Sequence, residues 1–191
     1  MYLFWLKTGL DYQTIACHFE INDGLDVLRY LKQVRNGLLE FFVEENLGIG
    51  HLTREEWISN NSNIATELFC EEKNQLILVA DGTYCYIQKS SNNYFQRKTF
   101  SVQKKTHLLK PFVVTTTNGL IVDIFGLHEA TKNDSTILIE ILEKNHQLIS
   151  LLKDNDIILL DRGFRDCIQT LRDVYNLNPK MPSTLKKKKN N

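Results

Sequence analysis

Two short apolar runs, each closed by an aspartate with glycine just beyond it, constrain this chain more than any other feature. Leu76-Ile77-Leu78-Val79-Ala80 ends at Asp81-Gly82, and Ile157-Ile158-Leu159-Leu160 ends at Asp161-Arg162-Gly163. A run of four or five residues with no polar break predicts a strand buried on both faces, and therefore a sheet covered by helices. A carboxylate where such a strand stops falls at the carboxyl edge of the sheet, where open α/β sheets place their ligands. Two carboxylates delivered to one edge predict a divalent-metal site. Taken singly, each also reads as a turn residue after a strand, since Asp-Gly is a common turn pair.

The 191 residues suffice for one medium domain or for a small and a larger one. No apolar stretch approaches eighteen residues, so no membrane span is predicted. The opening Met1-Tyr2-Leu3-Phe4-Trp5-Leu6 is broken by Lys7, too soon for a secretory core. Cys17, Cys70, Cys85 and Cys167 are scattered without a C-x-x-C pair, which argues for reduced thiols over zinc or a disulfide framework. The five histidines are equally dispersed and read as surface or packing residues. Net charge is zero, but residues 1–70 hold five Lys/Arg against ten Asp/Glu, and residues 71–191 hold eighteen against thirteen. A polyanion would prefer the second part.

The first seventy residues read as a helical region. Leu10, Ile15, Ala16 and Phe19 recur at helical spacing after an N-cap at Asp11, and Asn22-Asp23-Gly24 makes a break. Leu25, Leu28, Leu31, Arg35, Leu38 and Phe42 then mark a longer helix ending near Gly48 and Gly50. Short helix, turn, longer helix is the outline of a helix-turn-helix. Arg29, Lys32 and Arg35 form one basic stripe, either a phosphate-contacting surface or simply a solvated face.

From residue 71 the pattern changes to a mixed sheet. After the strand at 76–80 comes a polar, basic stretch from Gln88 to Lys110 with Arg97, Lys98, Lys104 and Lys105. These are candidate phosphate contacts or a plain solvated loop. Two β-branched runs flank Asn118-Gly119 and predict a hairpin, with Asp123 pointing outward from its second strand. A helix is predicted from Asp134 to Lys153, interrupted near Lys144-Asn145-His146-Gln147; Asp134 reads most simply as its cap, with an accessory metal role as the alternative. The strand at 157–160, a helix on Phe164, Ile168, Leu171 and Tyr175, and a short edge strand at Pro179-Lys180-Met181-Pro182 complete the order. The first of these strands can then sit beside the fourth, the arrangement of ribonuclease-H-like folds. The run Lys186-Lys187-Lys188-Lys189 is a basic end that can also contact nucleic acid or serve as a nuclear address. The fold class is therefore α+β: a helical helix-turn-helix-like region over 1–70, then an incomplete ribonuclease-H-like mixed sheet over 71–191.

Five strings in order carry a family resemblance: Ala80-Asp81-Gly82-Thr83, the basic stretch, the Asn118-Gly119 hairpin, Gly126 with Asn133-Asp134-Ser135, and Leu160-Asp161-Arg162-Gly163-Phe164. The chain resembles Harbinger-type transposases and the DDE-superfamily endonucleases derived from them. Lys7 to Phe19 is similar to the helix-turn-helix that precedes the catalytic domain there. The resemblance implies DNA cleavage or strand transfer by two aspartates and a glutamate holding two Mg²⁺ or Mn²⁺ ions. It further implies DNA as partner, a helper DNA-binding protein, and a nuclear location. It carries the two aspartates onto Asp81, the shared ligand, and Asp161, the ligand of one ion, with Arg162 beside them as a phosphate contact. The family's glutamate sits on a helix beyond the Met-Pro pair, here Met181-Pro182, and no glutamate occupies that place. Glu140 and Glu143 precede Asp161, so the chain reads as C-terminally truncated, and Met1 falls inside what would be a helix.

Those residue types suit the chemistry. Two hard cations about 3.5–4 Å apart activate water, stabilise the leaving oxygen and relieve charge on a phosphodiester, and Mg²⁺ takes oxygen ligands at roughly 2.0–2.1 Å. With two carboxylates the two-ion clamp does not close, and little or no turnover is expected. Two other classes stay open: a non-catalytic DNA-binding or interaction module, and a structural relic with an incomplete fold.

Overall fold

The computed structural model describes residues 1–183 other than residue 73; the Lys186–Lys189 run lies outside the described residues. The chain is a mixed α/β protein that divides into two compact units between Leu47 and Gly48.

The first unit is helical: α1 (Tyr2–Thr8), α2 (Tyr12–His18), α3 (Gly24–Leu38), a π-helical turn at Leu39–Val43, and α4 (Glu44–Asn46). Asp11 caps α2, its carboxylate accepting from the Gln13 and Thr14 amides, and Asp23 caps α3 by accepting from Leu25. These caps satisfy amides that a helix start leaves open. Ile15, Ala16, Val27 and Leu31 form a small core against Met1, Tyr2, Phe4, Trp5 and Ile21. α1 starts at Tyr2 and ends on Gly9 at φ 64°, a left-handed C-cap that glycine adopts without steric cost.

The second unit is a sheet with helices on both faces. Its helices are α5 (Arg54–Ser59), α6 (Asn63–Phe69), α7 (Asn93–Thr99), α8 (Asp134–Lys144), α9 (His146–Leu151) and α10 (Ile168–Asp173). Its strands are β1 (Ile77–Gly82), β2 (Cys85–Tyr86), β3 (Phe100–Ser101), β4 (Thr106–Thr116), β5 (Ile121–Glu129), β6 (Ile157–Leu159) and β7 (Asn178–Lys180). β4 runs antiparallel to β1, β2, β3 and β5. β6 runs parallel to both β1 and β7. The expected neighbour relation holds: β1 lies between the hairpin strand β4 and the later strand β6.

One face buries Leu76, Leu78, Ala80, Phe112, Val114, Ile158 and Leu160 against Ile137, Leu138, Ile141 and Leu142 of α8, together with Phe164, Leu171 and Trp57. Each such aliphatic side chain contributes about 1.5–3 kcal/mol relative to exposure. The opposite face buries Ile77 and Ile157 under Ala65, with Phe69 and Cys70 alongside. β1 is therefore covered on both sides at its start, as its unbroken apolar run predicts.

The change of sequence pattern near residue 70 does not coincide with the break between compact units. Ile49 and Trp57 belong to the core of the sheet unit, the Trp57 indole donating to the Ile49 carbonyl at 3.0 Å. Arg54 adds a second tie. Its guanidinium donates to both carboxylate oxygens of Asp156 at 2.7 and 2.8 Å, and to the Leu151 carbonyl at 2.6 Å. Asp156 is 1% exposed and also accepts from the Leu76 and Lys153 amides. Residues 48–69 include helices, as the reading of the first seventy residues expects, but those helices cover the sheet.

The predicted break in the 134–153 helix is at Asn145, which ends α8 and caps α9 by accepting from Leu148. The cap of α8 corrects one expectation. Asn133 caps it, accepting from Ser135 at 3.0 Å, while Asp134 occupies the first turn, where a carboxylate favours the helix dipole. Asp123 also differs from its expectation. It is half-buried at an irregularity in the β4–β5 ladder, and its carboxylate accepts from the Ile124 amide.

Candidate functional site

Parallel pairing of β1 with β6 matches Ile77 to Ile157, Leu78 to Ile158 and Val79 to Leu159. β6 ends at Leu159, and Asp161 follows it by two residues, as Asp81 follows Val79 on β1. Side chains alternate along a strand, so Ile77, Val79 and Asp81 share a face, as do Ile157, Leu159 and Asp161. α6 covers that face at Ile77 and Ile157 and leaves the far end open, where both aspartates are exposed. The two carboxylates are electrostatic neighbours, the negative charge of Asp161 acting on Asp81.

Local backbone geometry fixes one oxygen of each. Asp81 Oδ1 accepts from the Gly82 amide at 2.8 Å, and Asp161 Oδ1 accepts from the Gly163 amide at 2.7 Å. Among the described residues, the second oxygen of each has no hydrogen-bond partner and remains free for a ligand. The glycines have a steric role here. A Cβ on Gly163 would come 2.9 Å from Asp161 Oδ1, and one on Gly82 would come 2.9 Å from Asp134 Oδ1. Both aspartate–glycine strings therefore keep space clear around a carboxylate.

Asp134 approaches the same end of the sheet from α8, but it already holds a cation. Lys110 Nζ donates to Asp134 Oδ1 at 3.1 Å and to the Lys132 carbonyl at 2.8 Å. Lys110 is 8% exposed, on the buried face of β4 between Leu108 and Phe112. Burial pushes the Asp81 carboxyl above its ordinary value, and the negative charges of Asp161 and Asp134 push in the same direction. Tyr84, three residues beyond Asp81, senses the same cluster: burial first, then Asp134 and Asp81, raise its phenol.

A hard cation suits the Asp81–Asp161 pair: among the described residues each has a carboxylate oxygen without a hydrogen-bond partner and no protein cation on it. The pair is only a partial set. Among the described residues no three His, Cys, Asp or Glu side chains converge as metal ligands. Asp134 is occupied by Lys110, and no glutamate joins the pair.

The predicted nucleic-acid contacts are divided between the two compact units. Arg29, Lys32 and Arg35 are exposed on α3 of the first unit, where Arg29 pairs with Asp26 at 2.9 Å. In the second unit Lys104 and Lys105 are exposed in the turn between β3 and β4, and Lys104 Nζ stands 4.9 Å above the Tyr84 ring. Lys98 is taken by Glu129 at 3.0 Å, whereas Arg97 is exposed. Arg162, next to Asp161, donates to the Ser183 carbonyl at 2.7 Å. Sequence reasoning missed Tyr84 and Lys110. Tyr84 was legible from its place directly after Asp81-Gly82-Thr83; Lys110 was legible only as a charged residue in an otherwise alternating strand.

The family model for DDE superfamily endonuclease matches residues 80–191, a span that begins one residue before Asp81 and includes Asp161. The chain belongs to that family. A search of curated proteins finds no match. Among solved structures the chain is similar to the Mos1 transposase paired-end complex with left transposon end, at 16% identity and a TM-score of 0.33. That alignment covers 93% of this chain and 56% of the Mos1 chain, so the present sequence spans little more than half the length of that protein.

Proposed function

We propose that this chain is a transposase-derived DDE nuclease of the Harbinger type, in which Asp81 and Asp161 hold Mg²⁺ or Mn²⁺ and the substrate is DNA. One observation supports the reading: the adjacent parallel strands β1 and β6 lead to Asp81 and Asp161 at the same end of the sheet, each with one carboxylate oxygen bonded to a nearby amide. The family description supplies phosphodiester cleavage, and the strand order agrees with a ribonuclease-H-like domain. A bound divalent ion would supply charge relief at the phosphoryl oxygens and an activated water. The protein's own part is to orient the two carboxylates, each through a hydrogen bond from a glycine amide. Gly82 and Gly163 clear space around the cluster, and Lys110 removes Asp134 from competition for the ion.

Among the described residues no third carboxylate joins the pair, so slow turnover or none is expected of them. The helical unit is read as a DNA-contacting helix-turn-helix that presents Lys32 and Arg35. A nuclear setting and a helper DNA-binding protein complete the proposal.

Mn²⁺ titration followed by electron paramagnetic resonance tests it. The full chain is expected to deplete the free-ion signal, and Asp81→Asn and Asp161→Asn are each expected to abolish that depletion. Unchanged Mn²⁺ uptake in both variants would overturn the metal assignment. A second reading, a non-catalytic DNA-binding module, is favoured by the lack of a third converging ligand among the described residues. Salt-sensitive DNA binding that persists in chelator, with no Mn²⁺ uptake dependent on Asp81 or Asp161, would select it.

A further inference from the structure

The segment between Asp81 and Asp123 is chemically one-sided. Residues 82–122 contain six Lys/Arg and no Asp or Glu. Lys98 and Lys110 are neutralised by Glu129 and Asp134 from elsewhere in the chain. Among the described residues Lys89, Arg97, Lys104 and Lys105 have no acidic partner. The same segment carries exposed rings, including Tyr86 at 64% exposure.

Local structure gathers part of this segment beside the aspartate pair. Past Gly82 the chain leaves β1 and is held to β4 by the Thr83 amide donating to the Pro111 carbonyl at 2.9 Å. β2 then pairs Cys85 with Leu109 and Tyr86 with Leu108. Tyr84 is thereby fixed between two anchored points, with Tyr86 two residues further on. Lys104 reaches over from the β3–β4 turn and sets its ammonium 4.9 Å from the Tyr84 ring centroid. Tyr84 is close enough to Asp81, Asp134 and Asp161 for all three charges to raise its phenol. Tyr84 thus stands three residues past Asp81, with Lys104 against its ring and Tyr86 following on β2.

We infer that Tyr84, Tyr86 and Lys104 form a subsite for unpaired DNA, the rings stacking on bases and Lys104 contacting the phosphate of the strand that leads to Asp81 and Asp161. Stacking of bases on aromatic side chains tolerates any sequence and requires that the bases be unpaired. A duplex keeps its bases stacked inside and offers the rings only backbone. The surface therefore selects frayed ends or flaps. This inference rests on the nuclease reading for the role of the site, but the binding it describes needs no metal.

Fluorescence anisotropy in EDTA on the full chain tests it, with a short fluorescein-labelled single-stranded oligodeoxynucleotide and the blunt duplex of the same sequence. The single strand is expected to bind more tightly. Tyr84→Leu and Tyr86→Leu, which keep apolar bulk and lose the ring, should each weaken it roughly tenfold. Tyr84→Phe should bind as the parent does. Lys104→Ala should reduce the salt slope for the single strand by about 0.7. Duplex binding as tight as single-strand binding would overturn the inference, as would parental affinity in both leucine variants of unchanged circular dichroism. If Asp81→Asn and Asp161→Asn leave Mn²⁺ uptake unchanged while ring-dependent binding persists, the metal-site reading fails alone.

Discussion

Asp81 lies near the end of β1 and Asp161 just past the end of the parallel strand β6, each two residues beyond the paired Val79 and Leu159. Their like charges repel, and burial adds to that repulsion by raising the Asp81 carboxyl. A carboxyl raised in the folded state binds protons more tightly there than in the unfolded chain. Stability is then greatest below the ordinary carboxylate value and falls as pH rises through the window up to the folded value. Asp81→Asn should therefore raise the melting temperature near neutral pH and flatten its dependence over that acid window. Melting curves at a series of pH values on parent and variant check this; a lower neutral melting temperature in the variant would contradict it.

Lys110 shields the pair from a third negative charge. Lys110→Met removes the cation from Asp134, which should push the Asp81 titration further upward. Carbon-13 NMR of the aspartate carboxyls reads that shift directly. An unchanged Asp81 titration would show that Asp134 lies too far away to matter.

Gly163→Ala tests the clearance around Asp161. The added methyl would meet Asp161 Oδ1 at 2.9 Å, and the carboxylate is able to rotate away. Folding should therefore survive with a loss of under about 1 kcal/mol, as surface substitutions usually do. Mn²⁺ affinity should fall, because the rotated carboxylate loses the orientation set by the Gly163 amide. Equal affinity in the alanine variant would remove the glycine from the site.

The Arg54–Asp156 pair should be the most sensitive polar contact in the second unit. Arg54→Met leaves Asp156 charged, 1% exposed and short of two hydrogen bonds. Breaking a buried pair from one side costs about 3–5 kcal/mol. Urea denaturation is expected to show a midpoint shift of that size, while Arg29→Met on the exposed face of α3 should shift it hardly at all.

The sequence announced the parts of this molecule that have a period or a strong punctuation mark. β1 and β6 show as unbroken apolar runs, the β4–β5 turn as Asn118-Gly119, and the α8–α9 break as a polar cluster around Asn145. β2 and β3 are two residues each, too short to carry an alternation. β4 begins at Thr106, earlier than its β-branched run suggests, because Lys110 on its buried face disguises the period. Residues 48–69 were legible as helical but not as part of the sheet unit. Helical spacing says which face is apolar and is silent on what covers it. At the site, the aspartates were readable from the strand ends they close. The Lys110–Asp134 pairing was not, because it joins residues 24 apart through tertiary packing.

The guanidinium of Arg54 has a practical bearing on how the sheet half can be isolated. A piece cut where the composition changes, beginning at residue 71, would strand Asp156 inside an apolar wall and strip Trp57 from beneath it. Such a piece should precipitate or melt broadly, and its inactivity would say nothing of its chemistry. Cutting ahead of Gly48 keeps the counter-ion and the indole with the strands they support.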